Sequence, residues 1–135
     1  MIRRRLLLNF ALHTLACVLF VLLNDYAVSY YKQNFGGFTA RGVAAGMVAW
    51  GAWYLLMIFS IPIAMIMRLR VRILLTLAQA ALILYWLMPE HPVRALFYAS
   101  LNGSLTLMAV LLSEGIGRRL KPFVSTQAQA RIAGL

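Results

Sequence analysis

Acidic side chains are almost missing from this chain: Asp25, Glu90 and Glu114 are all it has in 135 residues, against thirteen Lys and Arg. Its single cysteine, Cys17, excludes an internal disulfide and any cysteine-based zinc motif. Charged residues make up only 12% of the sequence and no extended polar segment occurs, so one bundle is expected and no separate soluble domain. Internal repeats, low-complexity tracts, a phosphate loop, a dinucleotide fingerprint and a haem-attachment motif are likewise missing.

What the chain has instead is apolar sequence, at 63% of residues and a mean hydropathy of +0.82. A pI near 10.9 in a soluble domain would point to nucleic acid, but here the basic residues border hydrophobic runs and form no stripe interleaved with aromatics. Ten of the thirteen fall into three clusters: Arg3, Arg4 and Arg5; Arg68, Arg70 and Arg72; and Arg118, Arg119, Lys121 and Arg131. Lys32, Arg41 and Arg94 are left for the other side. Because basic loops stay cytoplasmic, both termini and the central loop are expected inside the cell. The clustered residues up to Lys121 are expected to meet anionic lipid headgroups, at about 1 kcal/mol each. The expectation is an all-α integral membrane protein, a four-transmembrane-helix antiparallel bundle in the cell inner (plasma) membrane with N and C termini cytoplasmic.

A span needs roughly 20 apolar residues. Four such segments are read, over about 6–26, 42–67, 72–88 and 94–117, as one transmembrane domain with a short cytoplasmic tail over 118–135. The stretch from Ala27 to Arg41, with Tyr30, Tyr31, Phe35 and Phe38 around Gly36-Gly37, reads as an aromatic loop in the headgroup region. Tyr85 and Trp86 anchor the third helix in the same way, and Pro89-Glu90-His91-Pro92 makes a stiff hairpin. Gly115 and Gly117, with Pro122 beyond, are expected to end the fourth helix. Cys17 sits in Thr14-Leu15-Ala16-Cys17, but Thr stands three residues before it and Asn9 and His13 interrupt the apolar run. Neither lipidation nor a cleaved signal peptide is expected.

In the second helix Gly42 and Gly46 form a GxxxG pair, continued by Ala45, Ala49 and Ala52. Small residues four apart let backbones approach, so this face is expected to pack a helix, first of all one of the same chain. Trp50, Trp53 and Tyr54 lie deeper than an interfacial belt, which suggests packing between helices or an aromatic wall for an apolar or cationic ligand. Pro62 removes a backbone donor and predicts a kink.

The most specific pattern is one of depth. His13 lies eight residues from Arg5, Ser60 eight from Arg68, Gln79 seven from Arg72 and Thr106 eight from Glu114. Each helix therefore carries a polar group about 11 to 12 Å from its charged boundary, with Thr76 and Asn102 about one turn to either side. Lipid offers such groups no partners, so they must turn inward. A buried polar layer of His13, Ser60, Gln79, Asn102 and Thr106 is expected, serving as interhelical adhesive or as a binding site or proton relay around His13.

No enzyme is expected: Asp25, Glu90 and His91 should lie at the outer surface with no nucleophile beside them, and no catalytic residue or cofactor is assigned. Glu90 and His91 lack further metal ligands, so no metal is assigned either. Glu114 should pair with Arg118 one turn on, and Glu90 with His91 and Arg94.

The layout resembles two groups of small four-span bacterial proteins, the small multidrug resistance exporters and the GtrA-like proteins associated with polyprenyl-linked sugar transfer. The exporters carry a membrane-embedded glutamate in their first helix, and this chain has none between Leu6 and Leu23, which argues against proton-driven drug export. The GtrA-like resemblance is one of span number and length alone. Two functions follow as expectations. The first is a non-catalytic subunit, modulator or immunity-type factor that contacts a larger membrane partner, or a second copy, through its helices. The second is a small dimeric transporter or flippase for a lipid-linked or amphipathic substrate, with a cavity lined by His13, Trp50, Gln79 and Asn102.

Overall fold

The computed structural model describes the backbone over residues 2–36, 42–89 and 91–133, and side chains over 3–36, 46–89 and 91–118. Gly37, Phe38, Arg41 and Glu90 lie outside the described residues, as do the surroundings of Gly42 and the side chains of Ala45, Arg119, Lys121 and Arg131.

Four helices follow one another: α1 (Ile2–Phe35), α2 (Gly42–Met65), α3 (Leu69–Leu87) and α4 (Pro92–Ala133). All four are long and apolar enough to cross a membrane. Large apolar side chains cover the outside, among them Leu7, Leu22, Met47, Ile58, Leu74, Leu77, Leu96 and Met108, while Asn, Gln, Thr and Arg side chains are sealed within. That is the reverse of a water-soluble bundle, and it is the arrangement hydrocarbon solvent selects.

α1 and α4 outrun the expected spans. At 34 and 42 residues they measure about 51 and 63 Å, well beyond the roughly 30 Å of a hydrocarbon core. The expected loop after Tyr26 is in fact helix as far as Phe35, because nothing between Ala27 and Phe35 breaks a helix. Gly36, at φ 80°, ends it in the left-handed conformation that glycine tolerates best. Gly115 and Gly117 do not stop α4, which continues through Pro122 to Ala133. A glycine inside a helix costs only about 1 kcal/mol relative to alanine, too little to end one by itself. α2 runs through Pro62 for three more residues, and the Pro62 carbonyl accepts from the Ile66 amide at 3.0 Å.

Neighbours in sequence are neighbours in space. α4 packs on all three other helices and α2 does the same, while α1 and α3 take opposite corners without touching among the described residues. Small side chains set the crossings: Ala16, Ala52, Ala95, Ala99 and Ala109 are all buried. Gly51 gives the closest approach, since a Cβ there would come within 2.5 Å of the Trp86 ring.

The interior divides lengthwise. Toward the end away from the arginines it is apolar, with Phe20 of α1, Leu56 of α2, Ile83 and Leu87 of α3 and Ala95, Tyr98 and Ala99 of α4. Toward the arginine end polar side chains enter it, interleaved with the buried Ile63, Ala64, Ala109 and Val110.

Candidate functional site

Four inward stripes build the polar half. α1 contributes Asn9 and His13, α2 Ser60, α3 Arg72, Thr76 and Gln79, and α4 Asn102, Thr106 and Ser113, all nine buried. Within each stripe the residues recur every three, four or seven positions, the spacing that holds one face of a helix at 3.6 residues per turn. The expected His13, Ser60, Gln79, Asn102 and Thr106 all point into the bundle, at exposures of 0 to 6%. They form a column more than a single layer, reaching from Asn102 near mid-bundle to the ring of arginines.

Hydrogen bonds cross between helices along the column. Asn102 Nδ2 donates to the Ala52 carbonyl of α2 at 3.0 Å, and Asn9 Nδ2 to the Ala64 carbonyl, also on α2, at 3.0 Å. Thr106 Oγ1 donates to Gln79 Oε1 at 3.4 Å, joining α4 to α3. Each such bond is worth about 0.6 kcal/mol in a membrane, because unfolded helices in lipid also find partners. Two of these acceptors are backbone carbonyls already engaged in helices, using the second lone pair of the oxygen. At the far end Tyr98 Oη donates to Asn24 Oδ1 at 3.2 Å, closing α4 onto α1 above the apolar core.

The clustering of basic residues places Arg72 among the lipid contacts, and the structure corrects this: Arg72 is only 1% exposed. α3 begins at Leu69, earlier than expected, so Arg72 already sits on the inward face of its first turn. Its Nη2 donates to Ser113 Oγ at 2.8 Å, and the Ser113 hydroxyl in turn donates to the Val110 carbonyl at 2.8 Å. Thr76 Oγ1 caps the Arg72 carbonyl at 2.9 Å. Below it, Arg5 Nη2 meets Glu114 Oε2 at 2.5 Å and Arg118 Nε meets Glu114 Oε1 at 3.4 Å. The Glu114–Arg118 pair is the one the i,i+4 spacing predicts, while Arg5 adds a second tie between α1 and α4. Arg3, Arg4, Arg68, Arg70 and Arg118 are exposed around the same end of the bundle.

Several column atoms make no hydrogen bond among the described residues: both His13 ring nitrogens, Gln79 Nε2, Asn9 Oδ1, Asn102 Oδ1 and Arg72 Nε. His13 also lies within electrostatic reach of Arg72. Among the described residues no group of three His, Cys, Asp or Glu side chains gathers that could hold a metal.

The aromatic wall is not part of this interior. Trp50 and Tyr54 are 61% and 56% exposed, and with the half-buried Trp53 they make a cluster on the outside of α2 at centroid distances of 5.5 to 5.9 Å. Trp50 therefore shares no cavity with His13, Gln79 and Asn102. The same open face carries Gly46, where an added Cβ would meet no atom within 4 Å, so the expected packing of Gly46 on another helix of the chain does not occur. Ala49 is half-buried against the apolar core. The missed column residues, Asn9, Arg72 and Ser113, each stand one or two turns from a residue that was recognised, and that spacing was the signal available for them.

No family model matches the chain, and neither the curated proteins nor the solved structures contain a match.

Proposed function

We propose that this protein is a non-catalytic subunit, modulator or immunity-type factor of a larger membrane complex, working through helix contacts in the cell inner (plasma) membrane with both termini in the cytoplasm. One observation carries the reading: the bundle's polar side chains are sealed by its own helices, while Gly46, Met47, Trp50 and Tyr54 stand open along one face of α2. A glycine at a helix surface gives up side-chain packing unless another backbone comes close to it. Trp and Tyr beside it offer large rigid rings of the kind that anchor interfaces. The clustered arginines at the opposite end of α2 favour a cytoplasmic placement of that end.

The reading is tested by affinity purification in mild detergent from cells carrying Gly46→Leu or a paired His13→Leu, Gln79→Leu change. Gly46→Leu should lose a defined membrane partner or second copy while the chain itself stays folded. The paired change should keep it whenever the bundle folds. Retention of the partner by Gly46→Leu contradicts the reading.

A second reading, a small dimeric transporter or flippase, is favoured by the unpaired polar atoms of His13, Gln79 and Asn102, which a polar substrate in transit would satisfy. It predicts a loss of activity for His13→Leu and ligand-dependent thermal stabilisation of the native chain.

A further inference from the structure

At the arginine end three guanidiniums surround one carboxylate. Glu114 already receives Arg5 and Arg118. Arg72, above them, feels the charges of both Glu114 and Arg5, and it has no carboxylate bonded to it, only the neutral Ser113 hydroxyl, with Nε unpaired. Glu114 is the only acidic side chain at this end among the described residues. Asp25 stands 20 residues further along α1, about 30 Å away. The cluster thus carries two positive charges in excess, one of them on a guanidinium that is 1% exposed. In a medium of low dielectric a buried cation is costly when the one carboxylate near it is already shared with two other guanidiniums, and a further anion brought to the cluster offsets part of that cost.

Two of the three guanidiniums remain reachable. Gly117 lies under the Arg5 guanidinium, where a Cβ would come within 3.3 Å of Arg5 Nε, so the missing side chain leaves that fork room. The Arg5 and Arg118 forks, both held on Glu114, are 28% and 71% exposed in their side chains. Planar forks match the oxygens of phosphate in bidentate fashion. A phosphomonoester carries about −1.5 to −2 charge near neutral pH, which balances the excess, whereas a phosphodiester carries only one charge.

From this we infer that Arg5 and Arg118, backed by Arg72, form a single seat for a phosphomonoester group, with Glu114 acting as the resident anion that holds the forks apart until the phosphate arrives. The phosphate belongs either to a lipid headgroup at the membrane surface or to a soluble molecule; the chemistry of the seat is shared. This site is separate from the open face of α2, and it stands whether or not that face meets a partner.

The test is binding to the full chain in mild detergent, with short-chain phosphatidic acid, short-chain phosphatidylglycerol, glycerol 3-phosphate and inorganic phosphate as probes. Phosphatidic acid should bind at least tenfold more tightly than phosphatidylglycerol. If glycerol 3-phosphate binds as tightly as phosphatidic acid, the soluble source is the ligand, and if it binds at least tenfold more weakly, the lipid is. Either result supports the seat. Arg118→Gln, at an exposed position that leaves the Arg5–Glu114 pair intact, should weaken phosphatidic acid severalfold, while Arg70→Gln should not. Glu114→Gln should tighten it severalfold by freeing both forks, an outcome that a purely structural ion pair would not give. Equal binding of the two lipids, an Arg118→Gln effect no greater than that of Arg70→Gln, or weaker binding by Glu114→Gln in a protein that still elutes as the native species would overturn the inference.

Discussion

Arg72 of α3 and Ser113 of α4 hold each other inside the bundle, with Nη2 donating to Oγ at 2.8 Å and neither residue more than 1% exposed. The pair joins two helices at the level where the interior changes from neutral amides to charges.

Because the hydroxyl is the hydrogen-bond acceptor for that guanidinium, Ser113→Ala should cost about 1 to 3 kcal/mol by leaving the charge unsatisfied. Arg72→Met should cost less than the removal of one partner implies, and Arg72→Met combined with Ser113→Ala less than the two single changes added together. Reversible unfolding in mixed micelles measures all three. Additive losses would show that the two side chains are not coupled.

Asn102→Leu removes the bond to the Ala52 carbonyl that links α4 to α2 across the short diagonal of the bundle. A loss of about 0.6 to 1.7 kcal/mol is expected in the same assay. Leu107→Ala, on the outer face of α4, should change stability by less. A loss no greater at Asn102 than at Leu107 would count against the inward bond.

Two glycines five residues apart on α2 should behave oppositely. Gly51→Leu drives a side chain into the Trp86 ring and should lower stability by about 1 to 3 kcal/mol. Gly46→Leu meets no neighbour in the chain and removes a helix-interior glycine, so stability should be unchanged or raised by up to about 1 kcal/mol while assembly is lost. Thermal unfolding of the isolated chain separates the two.

Orientation is read by cysteine labelling. Cys17 is buried, so background from the native thiol is low. A membrane-impermeant maleimide should label Arg70→Cys only in inside-out vesicles and Tyr85→Cys, at an 82% exposed position, only in intact cells or spheroplasts. The opposite pattern would invert the topology.

Much of this architecture is legible in the residues. The four spans follow from hydropathy, and the inward turn of His13, Ser60, Gln79, Asn102 and Thr106 from the rule that lipid satisfies no polar group. Hydropathy places a helix in the membrane but says little about where it stops, so α1 and α4 outrun the apolar segments that reveal them. The same limit hid Arg72. A boundary drawn at the last arginine makes every arginine a surface residue, whereas a helix beginning at Leu69 turns that one inward. Arg5 with Glu114 was hidden for another reason: 109 residues separate them, and only the closure of α1 against α4 brings them together. Trp50 and Tyr54 show the reverse error, since depth along a helix gives no direction around it and both rings face outward.

Whether the open face of α2 meets a protein is read by photo-crosslinking in native membranes from single positions on two outward faces, Met47, Trp50 and Tyr54 on α2 and Leu74 and Leu77 on α3, all of them exposed. One discrete protein adduct is expected from each α2 position and only lipid adducts from the α3 positions. Lipid adducts alone from α2, or the same protein adducts from both faces, would contradict the proposed contact.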